Sequence, residues 1–354
     1  MTAPRVLFLS HSHTFGPFRV GSHHYAREWS RLGAQVVHLS TPISLLHRLT
    51  RRMPSAAVRA TPRRPQVDED GVTHMVPRTV LPRPLGGFRV HRELERAGIA
   101  PTFDAVLIDQ PLLWDDSVRD LSDRLVYRPT DLYPAGVKRR LQAGIIARAD
   151  AVVATSGRVL HDLGPLDVPS LVIENGVDLA HFAGSGEDAD GRPAICVYVG
   201  ALDTRFDWAR VIAWAGSHSG IRFVVAGPSA HTPARLPDNV DVLGALPYAK
   251  VPDLLHRARV GLLPLSDDPS NAGRSPMKLH EYLAAGLTVV ARETPGIRDD
   301  REAGVFTYSS DAAADAALTD ALTHASPNNA GRRMAERHGW TEKTRELAGF
   351  IGGL

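Results

Sequence analysis

The 354-residue chain has one cysteine, few aromatic residues (6%) and no long apolar run. Cys196 alone cannot form an internal disulfide or a cysteine-based zinc site, which excludes the small secreted disulfide scaffolds. No apolar stretch approaches the roughly 20 residues that a membrane-spanning helix needs. The short stretch Val6 to Leu9 runs into His11 and His13, so it reads as a first β-strand and not as a secretory signal, and a cytoplasmic location is expected. An excess of charge of one sign is also lacking: the net value is +2, too mild for a dedicated nucleic-acid binder. One local exception stands out. Between His47 and Pro65 lie Arg48, Arg51, Arg52, Arg59, Arg63 and Arg64 with no acidic residue, either a solvated face or a contact for an anion or a membrane surface.

What is present fits a folded protein of two domains: 43% hydrophobic residues, 23% charged, mean hydropathy -0.14. Short Val-, Ile- and Leu-rich runs alternate with helical patterns, the signature of parallel sheets covered on both faces. Strands are expected near Val6–Leu9, Gln35–Leu39, Val72–Val76, Ala105–Ile108, Leu125–Arg128, Ala151–Ala154 and Leu171–Glu174. The pattern restarts at Ile195–Val199, Arg222–Ala226, Val240–Leu243, Val260–Leu263 and Thr288–Ala291. Between the halves, Ala183–Pro193 (AGSGEDADGRP) has linker composition. The expected architecture is α/β, with two Rossmann-like doubly wound domains facing each other across a cleft.

Several spacings exclude functions. Gly16 and Gly21 have P-loop spacing, but Ser22 stands where the lysine belongs, and the G-x-G-x-x-G dinucleotide fingerprint is missing. A nucleotide-triphosphatase and a dehydrogenase are therefore poor readings. The loop after the first strand still carries His11, Arg19, Gly21, His23 and His24 at the carboxyl end of a parallel strand, where ligands bind in such folds, so it either touches a substrate or caps the following helix, whose apolar face is Tyr25, Ala26, Trp29 and Leu32. Asp131, just past the Leu125–Arg128 strand, is placed either to act as a general base or to cap a helix.

The segment SPMKLHEYLAAG, Ser275 to Gly286, is the most informative. Pro276 suits a first helical turn with Ser275 near the N-cap, and the free amides of a helix start favour a diphosphate. Lys278 adds a full charge there, and it is one of only four lysines, with Lys138, Lys250 and Lys343, in a chain that otherwise uses arginine. Glu281, one turn on, could accept hydrogen bonds from a ribose; an ordinary capped helix is the alternative.

This segment, with ENGVDLAHF at Glu174–Phe182 and VVAGP at Val224–Pro228, resembles nucleotide-sugar-dependent glycosyltransferases of the GT-B fold, and the resemblance runs over nearly the whole chain. Within them the sequence is similar to the bacterial exopolysaccharide branch that includes the xanthan glucuronosyltransferase, through Met277-Lys278, the loop FRVGSHHYARE and Asp131. The resemblance implies that Met277 and Lys278 contact a diphosphate, that Glu281 holds the ribose, and that Asp131 is the base of an inverting transfer. Many retaining members carry two acidic residues in this helix region; here the earlier position is Gly273, which argues against that mechanism. It also implies a final helix, Trp340–Leu354, that returns to the first domain. The domains are then 1–183 plus 340–354 for the acceptor and 192–339 for the donor.

Gly200 and Gly227 at strand ends, Ser275 to Lys278 and Arg205 in VGALDTRFDW are the candidates for the phosphates, and Leu246 and Tyr248 for the nucleobase; Arg205 is equally a surface residue and Leu246 equally core. The donor is expected to be a UDP-sugar, acting as substrate with no cofactor and no metal. The acceptor is expected to be a saccharide, lipid-linked or small-molecule hydroxyl. Alternatives are a retaining glycosyltransferase, a nucleotide-sugar 2-epimerase and a non-catalytic binding module.

Overall fold

A computed structural model describes residues 3–16, 18–46, 61–83, 85–184, 192–229 and 232–354. It divides into two compact units, Met1–Glu174 with Lys343–Leu354, and Asn175–Glu342.

The first unit contains β1 (Arg5–Ser10), β2 (Gln35–Ser40), β3 (Ile43–Ser44), β4 (Gln66–Val67), β5 (Thr73–Met75), β6 (Arg78–Thr79), β7 (Ala105–Ile108), β8 (Leu125–Tyr127), β9 (Ala151–Ala154) and β10 (Ser170–Val172). Eight of them form one sheet in the order β10-β9-β8-β7-β1-β2-β5-β4, parallel except for the β4–β5 pair, while β3 and β6 pair separately. Its helices are α1 (Gly21–Arg31), α2 (Val90–Arg96), α3 (Gly136–Ile146) and α4 (Gly157–Asp162). Tyr25, Ala26 and Trp29 of α1 are buried as expected, but Leu32 follows the helix as its C-cap and is exposed.

The second unit has β11 (Ile195–Val199), β12 (Arg222–Ala226), β13 (Val240–Gly244), β14 (Val260–Leu263), β15 (Thr288–Arg292) and β16 (Val305–Tyr308), all parallel in the order β13-β12-β11-β14-β15-β16. Its helices are α5 (Leu179–Phe182), α6 (Trp208–Ser217), α7 (Val251–Leu255), α8 (Met277–Ala284), α9 (Asp311–Thr323) and α10 (Asn329–Glu336); α11 (Trp340–Gly352) begins in this unit and ends in the first. The strands alternate between two cores. Val197, Leu263 and Val289 pack in one cluster, and Cys196, Tyr198, Leu262 and Val290 in another. A parallel strand buried on both faces reads as a continuous apolar run, which is why these strands were legible. β16 was not, because VFTY is short and follows a turn.

The chain passes between units at Glu174 and Asn175, upstream of the expected linker. Val177 and Phe182 are buried in the second unit's core, and Val177 forms a bridge with Gly339, so residues 175–182 belong to that unit. Residues 185–191 of the linker stretch, and Arg48, Arg51, Arg52 and Arg59, lie outside the described residues.

Candidate active site

In the second unit the strand order reverses between β11 and β14, and in an open parallel sheet the loops beyond the carboxyl ends of those strands form the ligand crevice. The two loops are tied together: Ser266 N–H donates to Arg205 O at 2.9 Å, Asn271 Nδ2 to Arg205 O at 3.1 Å, and Thr204 Oγ1 to Asp268 Oδ2 at 2.9 Å. Two glycines permit the approach. A Cβ at Gly227, whose φ is +153°, would collide with the carbonyl of Gly200, and a Cβ at Gly200 would collide with the end of Lys278.

Lys278, in the first turn of α8, therefore lies against Gly200, with its Nζ 5.9 Å from the ring centroid of Tyr198. Desolvation, reinforced by Arg274 and Arg205 and opposed by Glu281 and Asp203, brings its pKa down to about 8. Burial pushes the neighbouring Glu281 carboxyl up to about 7, against the pull of Lys278. Arg205 is not a loose surface residue: its guanidinium pairs with Asp203, whose own pKa is held down by those bonds despite burial. Arg274, which sequence reasoning missed, joins Lys278 and Arg205 in one positive cluster; the signal for it was a basic residue just before Ser275-Pro276.

Pro276 itself is the N-cap of α8, so Ser275 lies one position too early to cap it. The Ser275 hydroxyl instead accepts the Asn175 N–H at 2.9 Å, and its carbonyl accepts Asn175 Nδ2 at 2.8 Å, fastening the ENGVD segment to this loop. Met277 opens the helix, and the Tyr282 hydroxyl accepts the Val199 N–H at 2.9 Å, fixing α8 to β11. Tyr248 stacks on His181 at 4.3 Å and meets Phe182 edge-on, while Leu246 packs against the same core; both contribute to packing.

In the first unit the order reverses between β1 and β7. Here His11 follows β1 and Asp131 follows β8, and the two interact. The His11 imidazole, open to solvent on one side, is still held below its ordinary pKa by desolvation, with Asp131 pulling it up and Lys138 and Arg128 pushing it down. Asp131 does not cap a helix, since α3 starts at Gly136 with Ala135 as its N-cap; it accepts a hydrogen bond from Thr130 Oγ1 at 3.2 Å. Beneath it lies a pair that the sequence reading missed. Arg128 Nη1 meets Asp109 Oδ2 at 2.8 Å, with side chains 1% and 4% exposed, and the guanidinium sits 4.7 Å over the Tyr25 ring. Burial still lifts Asp109 to about 6. The signal was a charged residue directly after each of two wholly apolar strands.

The other acceptor candidates are drawn inward. His23 Nδ1 accepts the Val20 N–H at 3.1 Å, so its Nε2 carries the proton and donates to Ser12 O at 3.0 Å. Both ring nitrogens are committed to backbone, and burial keeps the ring neutral, with a pKa well below the ordinary histidine value. Gly21 and His24 are buried in α1, and Arg19 donates to Thr14 O. His23 scaffolds the loop and has no nitrogen left for an acceptor.

Residues 194–324 match the Glycosyl transferases group 1 family. The matched stretch lies within the second unit and spans less than half of the chain. The chain is 24% identical over 217 residues to TuaH of Bacillus subtilis (strain 168), named as a teichuronic acid biosynthesis glycosyltransferase; the match covers 52% of this chain and about half of that relative (54%). Among solved structures, sucrose-phosphate synthase from Thermosynechococcus elongatus aligns over 99% of this chain and 98% of its own with a TM-score of 0.70 at 14% identity. Anabaena HepE in complex with UDP aligns over 99% and 100%, with a TM-score of 0.68 at 15% identity. The chain has the GT-B fold, two Rossmann-like parallel-sheet units. Within the matched stretch the cluster of Lys278, Arg205 and Arg274 stands at the sheet's reversal point. The narrower likeness to the xanthan branch has no counterpart among these relatives.

Proposed function

We propose that the protein transfers a sugar from a nucleoside diphosphate donor, with UDP as the nucleotide, to an acceptor hydroxyl in cell-surface polysaccharide synthesis. The observation that carries this reading is the positive cluster of the group 1 domain, built on strand-end loops and a helix start. UDP is favoured because HepE is similar over the whole chain and binds it; the polysaccharide setting is favoured by TuaH. The leaving diphosphate gains negative charge as the glycosidic bond breaks, and cations fixed in place before the reaction lower that barrier without reorganising. Lys278 and Arg274 are the charges for that role, Arg205 being oriented by Asp203. Glu281 is the ribose acceptor group, and the charge on the diphosphate is balanced without a metal, so turnover should persist in EDTA.

For stereochemistry the expectation of inversion gives way to its alternative. Group 1 members typically retain anomeric configuration, and that favours a retaining transfer in which a departing phosphate oxygen takes the acceptor proton. The inverting reading keeps two supports: Gly273 stands where many retaining members carry an acidic residue, and Asp131 caps no helix and exerts an electrostatic pull on His11. NMR of the product's anomeric centre decides between them. Asp131→Asn is the second test: inversion requires a loss of at least ~100-fold in turnover, while retention leaves it within about tenfold of the parent. Release of UDP only when an acceptor is present separates transfer from epimerisation and from simple binding.

A further inference from the structure

Arg274 joins the positive cluster from a loop, and bonds on either side of it set its place there. Its charge acts on Lys278, on the Tyr198 hydroxyl and on Asp203 alike, so the guanidinium reaches the centre of the cluster. Upstream the anchor is Asn271, 3% exposed, which donates from Nδ2 to Ser266 O at 3.0 Å as well as to Arg205 O. The Asn271 carbonyl accepts the Arg274 N–H at 3.3 Å, and a Cβ on Gly296 would stand 2.5 Å from the Arg274 carbonyl, so the backbone here is closely covered.

Downstream the anchor is Asn175, the first residue of the second unit. It grips Ser275 twice, with its N–H at Oγ and its Nδ2 at the carbonyl oxygen. Pro276 follows with a fixed φ and confines Ser275 to extended backbone, so a hold on both polar groups of Ser275 sets the direction in which α8 leaves. The gripping segment is itself secured two residues on. Val177 N–H donates to His338 O at 2.9 Å, its carbonyl accepts the Trp340 N–H at 3.2 Å, and the His338 ring stacks on His280 of α8 at 4.0 Å. The tie therefore falls between two cations, directly after Arg274 and one helical turn before Lys278.

We infer that Asn175 is a positioning residue of the donor site, holding Arg274 and Lys278 in place for a diphosphate through Ser275. The inference rests on the reading of this cluster as the diphosphate site. Cations fixed before the ligand arrives bind it without reorganising, and a displacement of about 1 Å can cost as much as ~100-fold. The test is titration of the full chain with UDP and with uridine, which lacks the phosphates, followed by ligand-observed NMR. Asn175→Ala should weaken UDP binding by about tenfold and leave uridine binding within about twofold of the parent. Ser275→Ala should behave in the same way, and Ser275→Thr, which keeps the hydroxyl, should restore most of the loss. In a Lys278→Ala background, Asn175→Ala should cost less than about threefold further, because its effect passes through the lysine it positions. UDP affinity unchanged in both Asn175→Ala and Ser275→Ala overturns the inference and leaves the donor reading intact. An equal loss for UDP and uridine, or full additivity with Lys278→Ala, also overturns it, since the tie would then serve folding alone. If Asn175→Ala does not fold, the two Ser275 variants decide. A Lys278→Ala protein that binds UDP like the parent overturns the donor reading and this inference with it.

Discussion

The two units share one sheet architecture yet treat charge at their reversal points in opposite ways. In the first, Asp109 and Arg128 neutralise each other under nearly complete burial, and His23 is held neutral by two backbone partners. In the second, Lys278 is surrounded by Arg274 and Arg205 as well as by Asp203 and a Glu281 whose ionisation is suppressed. A closed pair rigidifies a surface; three cations gathered at strand-end loops suit an anion. The difference is in keeping with the proposal that the second unit binds the diphosphate.

The largest effect that could break this contrast is on stability. Arg128→Met should cost about 3–5 kcal/mol, since it strands a buried carboxylate, and would appear as a melting temperature lower by roughly 10 °C; combining it with Asp109→Leu should recover most of the loss. A single variant that melts like the parent would show the pair is not closed. Next, Lys278→Ala should weaken UDP binding about 100-fold, the scale of charge-assisted hydrogen bonds, while leaving the melting temperature of the ligand-free protein almost unchanged. Calorimetric titration reads it, and equal affinity would make the cluster structural only.

Gly200→Ala sharpens the comparison. Its methyl group would displace the end of Lys278 and press on the buried Tyr198 hydroxyl, so UDP affinity should fall by about tenfold with a loss of stability of about 1–3 kcal/mol. The smallest effect is the pH dependence of binding. Lys278 ionises near 8 in the free protein, and a bound diphosphate raises that value, so affinity is fully present below pH 8 and declines as pH rises through the bound-state pKa, by at most about tenfold per unit. Glu281, ionising near 7, acts in the same direction by adding negative charge. Affinity that is flat from pH 7 to 9.5, or that rises, would contradict the placement of both groups.

Sequence and structure divide the site unevenly. Ile195–Val199 and Val260–Leu263 were readable because strands buried on both faces leave an unbroken apolar record, and Lys278 was readable because lysine is rare in this chain. Ser275 was expected near the N-cap and lies next to it, with Pro276 one position outside the first turn, whereas its partner Asn175 is 100 residues away and invisible to any local pattern. His23 and His24 looked like ligands because polar residues in a strand-end loop point outward as often as inward; their burial depends on how α1 packs.

The amino-acid sequence alone therefore determined the nearly balanced charge, the two parallel sheets and the lysine at a helix start, all of which are properties of composition or of short-range periodicity. Tertiary structure decided which charges are cancelled and which are left over. That outcome turns on pairs such as Asp109–Arg128 and Asp203–Arg205, whose energies depend on distance and burial.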